Sequence, residues 1–504
     1  MSIRPTLFFR GETVPPDVFE QRWRRSAAAL QSAGVGDGDV VALMMHNCPE
    51  AIELMVAVRH LGAQWCPINW HFRSDEVSYI LRNSAARVFI ADDALLHGLT
   101  GLDTAGATVF AIRGGDGAGD KPSSGTAWPL WEVRRDACDP LGDLAVRPRG
   151  AMFYTSGTTG LPKGIVRAPM TAAQLQASVQ VRRLAYGIEP GMRALLSAPW
   201  YHSAPNSYAL GIAMEDGTLF IEERFDAERT LAMIETHALT HAYLVPTMYV
   251  RLLALPAAVR QRYDLRSMKF VSSTGSPCPP EVKRAMIEWW GPVIHECYGS
   301  SELGYMTFLD SEQALRKPGS AGLPLPGVVL RILDEQGTEL PRNTPGLIYI
   351  DQPAMPDFSY VGNAAARERM EVGGLKTMGD VGYLDDEGFL FIVDRKADMV
   401  ISGGVNIYPV EIENVLLGMP GVADCAVFGI PDDEFGEALA AVVQPVAGAG
   451  LQAEAVRAWL RERLAGYKVP RVVQFEAQLP REETGKIFKR KLREPFWAGR
   501  ERRV

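Results

Sequence analysis

Tyr154–Gly164 reads YTSGTTGLPKG. It follows the short apolar run Ala151-Met152-Phe153, which reads as a strand end, and it holds three glycines, three threonines, a serine and a lysine. The glycines let the backbone turn tightly and come close to a ligand. Hydroxyls and freed backbone N–H groups can face an anion, and Lys163 adds a positive point charge. That combination holds phosphate. It is not the ordinary G-x-x-x-x-G-K-[ST] loop, because Leu161-Pro162 separates Gly160 from the lysine and Gly164 follows it. A chance surface turn accounts for the glycines but not for this order of residues.

The chain on either side alternates. Phe19–Ala33, Pro49–Leu61 and Asp75–Asn83 have helical spacing, whereas Val40–Met45, Trp65–Asn69 and Val88–Ala91 read as buried strands. Positions 112–126 are rich in Gly, Asp and Ser and read as a surface loop. Beyond the opening loop, strand candidates are Ala194–Ala198, Thr218–Glu222, Ala242–Val245, Lys269–Ser272 and Val293–Glu296. Three of them lead into polar clusters: PWYHSAPN at 199–206, SSTGSPCPP at 272–280 and YGSSE at 298–302. Ligands of open α/β sheets gather at such strand ends. From Gly319 to Asp394, short β-like runs between Gly, Pro and Asp turns predict a small β subdomain. A compact α/β pattern then fills the last stretch, about 105 residues, which is enough for a separate small domain. The fold class is therefore α/β. A large layered N-terminal domain with two α/β subdomains and a β subdomain precedes a small α+β domain.

The 504 residues are 47% hydrophobic and 22% charged, ordinary for a soluble globular protein. A net charge of -8 argues against general nucleic-acid binding, although Lys486–Val504 is locally basic and reads as a solvated helix or end. No apolar run is long enough for a membrane span. The start, MSIRPTLFFRGE, lacks the apolar run of an export signal. Six scattered cysteines without CxxC spacing point to a reducing cytoplasm rather than to disulfides or zinc. His237 and His241 have metal-compatible spacing but no evident third ligand.

YTSGTTGLPKG resembles the signature loop of the acyl-adenylate-forming enzymes: acyl-CoA synthetases, luciferases and the adenylation domains of peptide synthetases. Four further stretches resemble that family in order: YGSSE, KTMGDVGY (376–383), DRKADMVISGGVNIYPVEIE (394–413) and PREETGKIFKR (480–490). The wording of HSAPN, PCPPEVKRAMIEWWG and ISGGVNIYPVEIE looks most like bacterial CoA ligases for fatty, aromatic or steroid-type acids. The resemblance implies two half-reactions. A carboxylate attacks the α-phosphate of ATP to give acyl-AMP and pyrophosphate, and the thiol of CoA then displaces AMP.

The resemblance also implies roles. Thr155, Ser156, Gly157, Thr158, Thr159 and Gly160 hold the outer phosphates with support from Lys163. Glu302 is the Mg²⁺ ligand, one carboxylate being typical for a cation that bridges phosphates. Ser301 stands where the family usually has Thr and keeps the hydroxyl. Gly275, Ser276, Pro277, Tyr298 and Gly299 surround the adenine. Asp380 accepts both ribose hydroxyls, although Met378 replaces the usual Thr of the TGD segment, and Arg395 reaches ribose or phosphate. Lys486 aligns the attacking carboxylate with the α-phosphate, offsetting the repulsion between two anions.

The same resemblance implies that His202 gates the acyl pocket or approaches the acyl carbonyl. That pocket draws on Trp200, Tyr201, Tyr249 and Gly304, a mixture that suits aromatic and aliphatic acids alike. Gly403 and Gly404 match the path of the CoA arm. The resemblance further implies that a mobile C-terminal domain (399–504) rotates against the N-terminal domain (1–394) between the half-reactions about a hinge at 395–398; its pivot, usually Asp or Lys, is Ala397, which keeps a different acceptor in view: a carrier-protein thiol or an amine. A non-catalytic nucleotide- or acyl-binding relative is the third reading, and a homodimer is compatible with any of the three.

Overall fold

The structure is a computed structural model and describes residues 5–113, 128–155, 162–396, 398–403, 405–481 and 487–498. Val40–Met44 and Val88–Asp92 are buried along their whole length. They pair in parallel with each other, and respectively with Gln64–Pro67 and Thr108–Ile112. Parallel strands covered on both faces need such continuous apolar runs. The helices Pro16–Ser32 and Pro49–His60 each begin with proline, whose fixed φ suits a first turn.

A second, larger sheet carries the site. Ile294–Ser300, Phe270–Ser273, His241–Tyr243, Arg193–Leu196, Thr218–Ile221 and Thr6–Phe9 lie side by side in parallel. Gly304–Leu309 and Glu12–Val14 add antiparallel strands at the two ends. Asn47 stitches the two sheets together. Its amide donates to the carbonyls of Ala198 and Glu222 at 3.0 and 2.9 Å and accepts from Trp200 N at 2.9 Å.

The β subdomain is an antiparallel sheet built on Val329–Leu333, Gly346–Asp351, Asp380–Leu384 and Leu390–Arg395. The hairpin Tyr154–Thr155 and Lys163–Arg167 is joined by Phe358–Tyr360. In the C-terminal part, Val422–Asp432 and Gly436–Pro445 form a long antiparallel pair, and Val472–Phe475 lies parallel to the second of them. Its core includes Val400, Ile412, Val427, Val443 and Leu460.

The mixed α/β architecture matches the sequence reading, with informative differences. The strand expected over 293–296 runs on to Ser300, so Tyr298 sits in a strand rather than beyond its end. Lys163 starts a strand. PWYHSAPN turns directly into the helix Ser203–Ala213, because His202 supplies the extended residue before it and Pro205 lies in its first turn, where a missing N–H costs nothing. Part of the basic tail is the helix Lys489–Trp497. Most of the loop expected at 112–126 lies outside the described residues.

Candidate active site

The parallel strands Arg193–Leu196, His241–Tyr243, Phe270–Ser273 and Ile294–Ser300 end on one edge of the sheet. The segments that follow them bring His202, the 274–277 turn and Glu302 to that edge. Ser203, next to His202, exchanges a 2.8 Å hydrogen bond with the Ser301 hydroxyl. The first and last of these strand ends are thus tied together.

Tyr298 and Gly299 flank a register shift against Gly304–Leu309, which bends the strand and re-aims its side chains. Only glycine fits at 299: a Cβ there would lie 2.6 Å from the Gly304 carbonyl oxygen. The Tyr298 hydroxyl donates to Asp380 at 2.5 Å, and Arg395 Nε donates to the other oxygen of the same carboxylate at 3.0 Å. Asp380 is buried. Burial, together with the neighbouring Asp380 charge, pushes the Tyr298 phenol well above its ordinary range, and Asp380 raises Arg395 further. The three form a fixed carboxylate with two donors, and the remaining lone pairs can take further hydroxyl donors.

A second constellation surrounds Glu302. Its Oε1 accepts from Thr155 Oγ1 at 3.3 Å and from the Tyr360 hydroxyl at 3.2 Å. Lys163 Nζ lies 5.4 Å above the Tyr360 ring. Arg167, four residues after Lys163, is buried and donates to the carbonyl of Ser301 at 2.6 Å and to that of Glu302. Burial lowers its guanidinium to about 10. Arg167 and Tyr360 escaped the sequence reading: an arginine in a short apolar strand carries no signal of the carbonyls it will meet. The flanks of the glycine-rich loop are pinned as well, Tyr154 OH to Asn83 at 2.8 Å and Tyr79 OH to the Pro162 carbonyl at 3.0 Å. The single carboxylate of Glu302 suits a hard cation that draws its other ligands from phosphate and water. Among the described residues, no cluster of three or more His, Cys, Asp or Glu would cage a metal by itself.

Other expected residues stand apart. Trp200 is fully buried and donates to the Met45 carbonyl at 2.8 Å. Tyr201 packs on Trp70 at 4.6 Å and on the His202 ring at 4.3 Å. Both brace the strand end. Tyr249 is buried beside Ser273, and Gly304 lies across from Ser300. On the C-terminal sheet, Gly403 has φ +56 and its N–H donates to the Phe435 carbonyl at 2.9 Å. Phe435 is exposed, with the Arg471 guanidinium 5.2 Å above its ring. At the junction the Asp394 carboxyl accepts from the backbone N–H of Arg395 at 2.7 Å and of Val410 at 3.1 Å, and burial pushes it up to about 6. Ser156, Gly157, Thr158, Thr159, Gly160, Ala397, Gly404 and Lys486 lie outside the described residues.

Residues 7–356 match the model of the AMP-binding enzyme family, and residues 411–486 match that of the AMP-binding enzyme C-terminal domain. A feruloyl-CoA synthase of Amycolatopsis is 33% identical over 480 residues, covering 94% of this chain and 92% of the relative. ATP-bound MatB from Rhodopseudomonas palustris superposes with a TM-score of 0.86 at 28% identity, over 98% of this chain and 96% of that one. The amide bond synthetase McbA from Marinactinospora thermotolerans superposes with a TM-score of 0.83 at 26% identity, over 98% of both chains.

Proposed function

The chain belongs to the AMP-binding enzyme family, and from that premise we propose that it is an AMP-forming acyl-CoA synthetase for a hydrophobic carboxylic acid. The observation that carries this reading is that two carboxylate sites, one from the β subdomain and one just beyond the strand Ile294–Ser300, meet at the end of that strand. Asp380, held by Tyr298 and Arg395, suits a ribose. Glu302, held by Thr155 and Tyr360, suits a phosphate-bound cation.

In this reading the glycine-rich loop and Lys163 hold the outer phosphates of ATP. Tyr298 and the Gly275-Ser276-Pro277 turn enclose the adenine, with Gly299 leaving room beside them and Ser301 offering its hydroxyl to phosphate. Glu302 would hold Mg²⁺, which neutralises phosphate charge when bound. Lys486 bridges the incoming carboxylate and the α-phosphate, and the bond to pyrophosphate breaks as the acyl–phosphate bond forms. His202 borders the acyl carbonyl. Positioning and charge stabilisation supply most of the rate.

We place the domain boundary at 394, a hinge at 395–398 around Ala397, and the C-terminal domain from 399. Asp394 fits this placement, because its carboxyl bonds the first turn of the helix Pro409–Leu417 across the junction. CoA is the acceptor. Its arm would pass Gly403 and Gly404, and the exposed Phe435 ring under Arg471 offers a stacking face and a cation for a nucleotide that bears phosphates. The cysteines of the chain are free thiols, which suits a reducing cytoplasm.

Acid-dependent exchange of pyrophosphate into ATP, followed by CoA-dependent thioester formation, tests both halves. Exchange without thioester would move the acceptor to a carrier thiol or an amine. The McbA likeness keeps that second reading open.

A further inference from the structure

Both ends of the glycine-rich loop lead to one tyrosine. Thr155 and Lys163 face each other across the hairpin that the loop closes. The strand Phe358–Tyr360 lies along the other side of the lysine's strand, with Tyr360 opposite Ile165. It is held close there. The Val361 N–H donates to the Gly164 carbonyl at 2.9 Å. Only glycine fits at 164, because a Cβ would lie 2.8 Å from Cζ of Tyr154 and 3.1 Å from Cγ2 of Val361. Tyr360 itself is 7% exposed.

Tyr360 touches two groups of opposite charge. Lys163 Nζ lies 5.4 Å from the centroid of its ring. Its hydroxyl donates to Glu302 Oε1 at 3.2 Å, the oxygen that Thr155 Oγ1 also bonds at 3.3 Å. Burial and the neighbouring Glu302 push the phenol above its ordinary range, so it stays protonated and donates. Lys163 and Glu302 form no ion pair with each other; the tyrosine links them instead. The distinction matters where phosphate and a cation must bind. An ammonium paired with a carboxylate is neutralised, and the pair must separate before either ligand can use it. A ring face attracts an ammonium without cancelling its charge. A hydroxyl that donates to a carboxylate favours the charged form.

We infer that Tyr360 is a positioning residue for nucleotide binding: its ring keeps Lys163 off Glu302, and its hydroxyl fixes the Glu302 carboxylate. The ammonium then stays available for the outer phosphates of ATP, and the carboxylate for the cation they carry. The inference rests on the nucleotide reading of the site and adds a residue to it. Tyr360 acts through Lys163 and Glu302 rather than on the reacting atoms. Without its ring the two charges can collapse onto each other, and ATP must then break that pair.

The test measures ATP binding by calorimetry on the full-length protein, once with EDTA and once with Mg²⁺. No carboxylic acid is present, so no adenylate forms. Tyr360→Phe keeps the ring and loses the hydroxyl. Its Mg²⁺-free Kd should stay within about twofold of wild type, while the tightening that Mg²⁺ brings should shrink by about tenfold, the effect of losing an outer partner of a metal ligand. Tyr360→Leu loses the ring as well, and its Mg²⁺-free Kd should rise by about threefold or more. In a Lys163→Met background, Tyr360→Phe and Tyr360→Leu should bind Mg²⁺-free ATP alike, because the ring acts through the lysine. Wild-type Mg²⁺ tightening in Tyr360→Phe overturns the proposal. So does equal Mg²⁺-free affinity of Tyr360→Phe and Tyr360→Leu with Lys163 in place. Tyr360→Phe preserves the packing, so its result decides even where Tyr360→Leu fails to fold. A wild-type protein that binds no ATP overturns the nucleotide reading and this proposal with it.

Discussion

Tyr298 and Asp380, 82 positions apart, meet in a 2.5 Å hydrogen bond that joins the parallel sheet to the antiparallel β subdomain. The tyrosine holds the carboxylate from one side while Arg395 holds it from the other. The carboxylate is thereby oriented before any ligand arrives.

Asp380→Asn should raise KM for ATP by about 10- to 100-fold, the range for losing a hydrogen bond to a charged group. Tyr298→Phe keeps the ring and loses only the hydroxyl, so its effect should be smaller, with KM again moving more than kcat. Initial-rate kinetics of the exchange reaction check both. Equal loss in kcat alone would remove Asp380 from nucleotide binding.

Arg167 acts on Glu302 through the backbone. Arg167→Met removes the donor that holds two consecutive carbonyls while keeping an apolar fill. The Mg²⁺ concentration for half-maximal exchange should rise by about tenfold, as when an outer-shell partner of a metal ligand is lost. An unchanged Mg²⁺ titration in a folded variant would leave Arg167 with a purely structural part.

Lys486→Ala should abolish adenylation yet leave thioester formation from synthetic acyl-AMP largely intact. The two half-reactions are assayed separately. Equal loss of both would contradict a lysine that serves only the first step.

Arg471→Ala and Phe435→Ala should raise KM for CoA by about 5- to 30-fold, the effect of losing a cation or stacking face worth 1–2 kcal/mol. Pyrophosphate exchange should be unmoved in both. A loss of exchange would mean that this surface serves the nucleotide step instead.

His295 offers a test by pH. Its ring lies 4.1 Å from Phe270 and 5.6 Å from Phe308, and burial lowers it to about 4 against an ordinary 6.5, with Asp310 opposing. The unfolded chain therefore binds the proton more readily. The stability this neutral ring provides is complete above pH 6.5 and is lost as pH falls toward 4, by about 2–3 kcal/mol. His295→Phe should flatten that part of the profile. Denaturant midpoints at several pH values, compared between the two proteins, measure it.

The alternation of helix and strand and the identity of the phosphate-holding loop were legible in the sequence, because apolar periodicity and the glycine-hydroxyl-lysine mixture are local properties. YGSSE and KTMGDVGY could each be picked out by their residues. Their meeting could not. Nothing in either string says that Tyr298 will reach Asp380, or that the strand 294–300 runs far enough to place it there.

PWYHSAPN shows the division most clearly. By itself the string marked a strand end with polar groups. Only the tertiary structure sorted its members: Trp200 pinned to Met45, Asn206 bonded to Trp65 at 3.1 Å, and Ser203 turned to Ser301. Arg167 and Tyr360 went unread for the same reason. A residue's chemistry is carried in its own side chain, but whether that side chain braces a core or faces a ligand depends on which distant backbone comes to lie beside it.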